Sequence, residues 1–123
     1  MRKQYYFRPS SRGLLAWDVD RLVQLSKALP RKQVPLDTIR ELDEPWHDEG
    51  EPATWRRMIE HITLIDEADL AFPIIRSSSG AVMDGMHRVA KAVWRGHTVI
   101  EAVQFEDDPE PDHVGRGPDE LAY

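Results

Sequence analysis

Asp84, Gly85, His87 and Arg88 stand together where a short apolar run, residues 81–83, gives way to a basic amphipathic stretch, residues 86–95. The start of a helix leaves backbone N–H donors unpaired and carries about half a positive charge. A glycine there lets the backbone come close to a ligand. With His87 and Arg88 in the first turn, and Lys91 one turn on, the junction is a seat for an anion, most naturally a phosphate. Asp84 has two readings. It can cap the helix, worth about 1 kcal/mol. Alternatively it can face a magnesium ion or a substrate hydroxyl and act as a general base. An ordinary cap followed by a solvated basic face explains the same residues. The anion seat fails if Arg88 is buried in an internal ion pair with no open cavity above Gly85.

Other segments carry weaker chemistry. Residues 41–49 pack Glu41, Asp43, Glu44, Asp48 and Glu49 around His47 and Trp46. They can supply a magnesium ligand or a base facing the basic helix start, or simply form a solvated acidic loop. Trp46 can lie over a nucleotide base or pack on the core. His47, His61, His87, His97 and His113 show no close pair suited to one zinc site, so no metal centre is expected from them. Ser77, Ser78 and Ser79 lack a nucleophile-elbow pattern and read as a turn. Arg56 and Arg57 read as ion-pair partners of the acidic loop or of Glu60.

These residues have to be positioned by regular elements. Asp18 can cap a helix over residues 19–29, with Val19, Leu22, Val23, Leu25 and Leu29 mostly on one side and Pro30 ending it. Residues 33–36 read as extended, and Asp37 can open a single turn through Leu42. Residues 43–52 form a loop, and Pro52 suits the first turn of a helix over residues 53–66. On that helix Trp55, Met58, Ile59, Ile62 and Ile65 share helical spacing. Residues 72–76 and 81–83 read as strands flanking a turn. The basic helix covers residues 86–95, with Met86, Val89, Ala90 and Val93 as its core-facing stripe. Gly96 sits where a left-handed C-terminal cap belongs, and residues 98–105 form a β-branched strand. Helices alternating with short strands predict a compact single α+β domain, a small mixed sheet packed with helices. Residues 1–16 read as an N-terminal arm, residues 17–105 as the domain, and residues 106–123 as an acidic tail, extended or poorly ordered.

Phe72 to Ile75, a turn, then Val82 to Ala92, Gly96 and Val99 to Val103 resemble the ParB/sulfiredoxin superfamily. Val34, Pro35, Leu36 and Ile39 are similar to the leading segment of its ParB-like domains, so the resemblance spans roughly residues 33–105. It implies a nucleotide-binding fold in which Gly85, His87 and Arg88 match the phosphate-contacting positions, with Met86 among the binding residues although it departs from the pattern. Sulfiredoxins place a reactive cysteine where this chain has Met86, which excludes sulfinic-acid reduction. ParB partition proteins continue into a helix-turn-helix domain. This sequence continues into an acidic tail instead, so centromere binding is not expected. The nearest motif is that of the free serine kinase branch, where the residue matching Asp84 takes part in phosphoryl transfer with an upstream glutamate. Glu41 stands in a suitable place for that glutamate, with Asp43 and Glu44 competing. The resemblance thus implies a nucleoside tri- or diphosphate, with magnesium, and a hydroxyl-bearing acceptor. A non-catalytic module that senses nucleotide and contacts a protein partner is the alternative.

The bulk properties bound these readings. The 123 residues carry a net charge of −6, and 41% are hydrophobic. Charge alternates along the chain: residues 1–40 and 71–100 are net basic, residues 41–70 and 101–123 net acidic. No dominant basic face is expected, so duplex DNA is not the favoured partner. The sequence has no cysteine, which removes disulfides, thiolate catalysis and cysteine-based metal sites. No apolar run approaches the roughly 20 residues that span a bilayer. The N-terminus lacks a convincing signal peptide. A cytoplasmic protein without membrane partners is the expectation.

Overall fold

The structure is a computed structural model and describes residues 3–45 and 53–121. Strands β1 (Tyr5–Ser10) and β2 (Gly13–Asp18) form an antiparallel hairpin. Helix α1 (Val19–Ser26) follows without a linker, capped by Asp18, whose carboxylate accepts from the Asp20 N–H at 2.9 Å. Strand β3 (Lys32–Pro35) leads into two 3-10 turns, Leu36–Thr38 and Arg40–Asp43, in place of the single turn expected from Asp37. Helix α2 (Trp55–Glu67) is capped by Thr54, whose hydroxyl accepts from the Arg57 N–H. Pro52 and the segment carrying Trp46, His47, Asp48 and Glu49 lie outside the described residues.

Strands β4 (Ile74–Arg76) and β5 (Val82–Asp84) pair antiparallel around the serine turn. The Ser77 hydroxyl closes that turn by accepting from the Ala81 N–H at 3.1 Å. Helix α3 (Met86–Trp94) then crosses over to β6 (Val99–Gln104), which lies parallel to β4 and antiparallel to β3. The resulting mixed sheet has the order β3-β6-β4-β5.

A second sheet has the order β1-β2-β7, with β7 (His113–Val114) donated by the C-terminal region. The N-terminal segment, an arm or edge segment by sequence, forms the edge strand β1, and the tail read as extended or poorly ordered supplies β7. The Trp17 indole donates to the Pro109 carbonyl at 2.7 Å, Asp112 accepts from the Asp18 N–H, and Leu121 is buried. The acidic composition reads as solvated, but these acids and carbonyls accept from Arg8, Trp17, Asp18 and Arg21.

Strand alternation sends neighbouring residues to opposite sides of the mixed sheet. On one side Ile74, Val82, Ile100 and Ala102 pack with Val89 and Ala92 of α3, and with Leu36 and Ile39. On the other, Ile75, Met83, Val103 and Phe105 pack with Leu15, Trp17 and Leu22. The domain is therefore layered: α3, the mixed sheet, then α1 with the second sheet. Helix α2 packs against α3.

Candidate functional site

The junction between β5 and α3 has the predicted order and a different local chemistry. Gly85, not Asp84, is the helix N-cap. It lies in the left-handed region at φ 108°, where only glycine is unstrained. A Cβ on Gly85 would meet Ile74 Cγ2 at 2.7 Å and Arg88 Nη2 at 2.9 Å. No side chain accepts from the first turn of α3, whose earliest internal bond runs from the Val89 N–H to the Gly85 carbonyl. The N–H donors ahead of Val89 therefore have no acceptor within the helix.

Asp84 serves Arg88 instead of the helix. Arg88 Nη2 donates to Asp84 Oδ2 at 2.9 Å and to the Pro73 carbonyl at 3.3 Å. The expected open guanidinium is thus an ion-paired one, folded over Gly85. The pair is not sealed, since the two side chains keep 20% and 19% of their surface exposed. Arg88 Nε is buried without an acceptor.

His87 faces α2. Its Nε2 lies 3.4 Å from Nδ1 of His61, the ring centroids 5.5 Å apart. Burial, then His61 and Arg88, hold the His87 imidazole below the ordinary histidine value, against the opposing pull of Asp84. It is therefore neutral at neutral pH, and Arg88 is the cation at the helix start. Sequence reasoning found no close histidine pair. The two lie on different helices 26 residues apart, so no local spacing could have signalled it. Among the described residues no group of three or more potential metal ligands assembles.

Lys91 is directed elsewhere. Its ammonium donates to the carbonyls of Asp66 and Ala68, both at 2.7 Å, and so satisfies the C-terminal end of α2. Arg95 joins it through Asp66 at 2.9 Å. The expectation that Lys91 assists at the phosphate seat is replaced by a clamp on α2. Met86 packs against the core cluster, which leaves its backbone N–H for the seat.

Glu41 does reach the mixed sheet. Its Oε2 accepts from the Val82 N–H at 2.7 Å, on the strand that carries Asp84, while Oε1 is buried with no partner. Asp43 and Glu44 are exposed. Of the three, Glu41 alone bonds to β5. An open groove of about 750 Å³ lies at the other end of α3, lined by Pro35, Leu36, Ile39, Val93, His97 and Val99. Asp43 also lines it, but Glu41, Asp84, Gly85, Met86, His87, Arg88 and Lys91 do not.

No protein-family model matches the chain, and neither a curated protein nor a solved structure matches it.

Proposed function

We propose that the start of α3 binds a phosphate-bearing ligand, a nucleotide by the ParB-like resemblance of residues 72–103. The observation that carries this reading is the uncapped first turn of α3 beside Arg88 and Gly85. Its N–H donors lack side-chain acceptors, and Arg88, one turn on, is the cation beside them. A phosphate would take Arg88 away from Asp84. The phosphate would replace the single Nη2–Oδ2 contact with a charge-assisted bidentate one. Asp84, so released, and Glu41, with its unpartnered oxygen, then provide acceptors for a magnesium ion or for the hydroxyl of an acceptor molecule. Phosphoryl transfer to a small hydroxyl compound, or hydrolysis of the nucleotide, is the corresponding activity. Binding without catalysis is the second reading, favoured by the resting engagement of Asp84 with Arg88.

Titration of the purified chain with ATP, ADP, CTP and GTP, each with magnesium, tests it. Binding of at least one, lost in Arg88→Ala, is the expected result. Turnover that disappears in Asp84→Asn while binding persists assigns phosphotransfer or hydrolysis; binding without turnover assigns the sensing module. Failure of all four nucleotides to bind overturns the reading and leaves Arg88 as a structural ion-pair partner.

A further inference from the structure

Helix α2 is the anomaly of this fold. It has 13 residues, and none of them is buried. Trp55, Met58, Ile59 and Ile62 recur at helical spacing, yet Trp55 is 80% exposed and Ile59 61%. Isolated helices of this length are marginal in water, and most helical stability comes from burying an apolar face. Here the face turned to the body is largely polar, built from His61 and from carbonyls that receive Lys91. Among the described residues, none buries the apolar stripe, whose Met58 and Ile62 are about half exposed. A stripe of this kind marks an interaction surface.

We propose that the stripe is covered by the same helix of a second copy, the two α2 helices running antiparallel about a two-fold axis. Charge placement along α2 carries this choice of occupant. Arg56, Glu60, Thr63 and Glu67 form one edge of the helix, at spacings of three and four residues, beside Ile59. The basic residue is at its beginning and the acidic ones follow. In an antiparallel pair centred between His61 and Ile62, like edges meet in opposite directions. Arg56 of one protomer then lies beside Glu67 of its partner, twice by symmetry. Glu60 lies beside Thr63, so no like charges are opposed. A parallel pair would set this edge against the opposite edge of the partner helix, away from its Arg56 and Glu67, and lose the complementarity. Arg56 and Glu67 form no ion pair with any other described residue, whereas Arg57 is bonded to Glu60 and Asp66 to Arg95. The antiparallel arrangement also opposes the two helix dipoles favourably. In the core of this interface Ile59 and Ile62 meet around the axis, and Trp55 reaches over the partner's last turn.

The test is the solution mass of the full chain across a concentration series, by sedimentation equilibrium. The expected result is a dimer. Ile59→Glu halves the mass while leaving the far-ultraviolet circular dichroism spectrum unchanged, because Ile59 buries little in the single chain. Arg56→Glu and Glu67→Arg each weaken the dimer about tenfold, since each turns two attractions into two repulsions. The double variant R56E/E67R regains affinity. That rescue separates an antiparallel self-pair from a contact with any other surface. A monomer up to millimolar concentration overturns the proposal, and so does a dimer indifferent to Ile59→Glu or a double variant no tighter than the single ones. In the monomeric case the stripe belongs to a different protein or to an apolar surface.

Discussion

Helices α2 and α3 look alike as sequences and differ completely in what they bury. Both carry apolar residues at positions i, i+3, i+4 and i+7 beside charged ones. In α3, Val89 and Ala92 are fully enclosed against the mixed sheet. In α2 no residue is buried, and the contact with α3 is made largely through polar groups. The comparison teaches that periodicity identifies a face without identifying what covers it. Even for α3 the stripe is displaced: Ala92 occupies the core, while Val93, expected there, is 46% exposed. A nine-residue helix that crosses from β5 to β6 is rotated by its connections, and Gly85 lets it turn in directly above Ile74.

The contrast can be broken by substitution. At dilutions where the chain is monomeric, Val89→Ala should destabilise it by about 2 kcal/mol, through lost burial and the cavity left behind. Ile59→Ala on α2 should change stability by no more than about 0.5 kcal/mol. Urea unfolding monitored by tryptophan fluorescence compares the two, and equal effects would mean that α2 buries its stripe within the single chain. A smaller change sharpens the picture. Lys91→Met removes both bonds to the end of α2 and should cost about 1 kcal/mol. The faster amide hydrogen exchange that results should be confined to α2, with the mixed sheet still protected. Uniform loss of protection would show that the two helices open as one unit.

The smallest effect is on pH dependence. The unfolded chain protonates histidine near the ordinary value, about 6.5, whereas folded His87 protonates only below it. Between those two values the unfolded state binds more protons, so its contribution to stability is full above about pH 6.5 and declines as pH falls toward the folded value. Urea midpoints should therefore drop on going from about pH 7.5 to about pH 5.5. The drop should be shallower in His87→Gln, which cannot take up that proton. An equal drop in both proteins would place the sensitivity elsewhere.

The candidate site was legible as a location more than as a set of contacts. Asp84, Gly85 and Arg88 are close in sequence, and a helix start forces them together in space. The spacing of Asp84 and Arg88 is that of an i,i+4 pair, as much the signature of an ion pair as of a cap facing an anion. Local spacing supports both, and only the side-chain directions chose between them. Glu41 was one acid among three from its sequence position. The Val82 N–H singled it out, because an edge strand presents unpaired donors and Glu41 alone reaches one.

Residue types and spacing by themselves determined the local elements. Asp18 caps the helix expected after it, which ends at Ser26 rather than at Leu29 before Pro30; Gly96 takes the left-handed conformation predicted for it at φ 81°, and β-branched residues make the strand after it. These follow from steric and hydrogen-bonding rules that operate over a few residues. Tertiary structure alone decided the pairings between distant segments. Arg8, stacked over Trp17, meets Asp108 at 3.0 Å across 100 residues. Burial disfavours the charge on both, but Tyr6 and Asp108 keep the guanidinium protonated, and the Ser78 N–H with Arg8 keeps Asp108 ionised. A charged residue shows in sequence only that it needs water or a partner. Which of the two it receives is fixed when the chain closes around it.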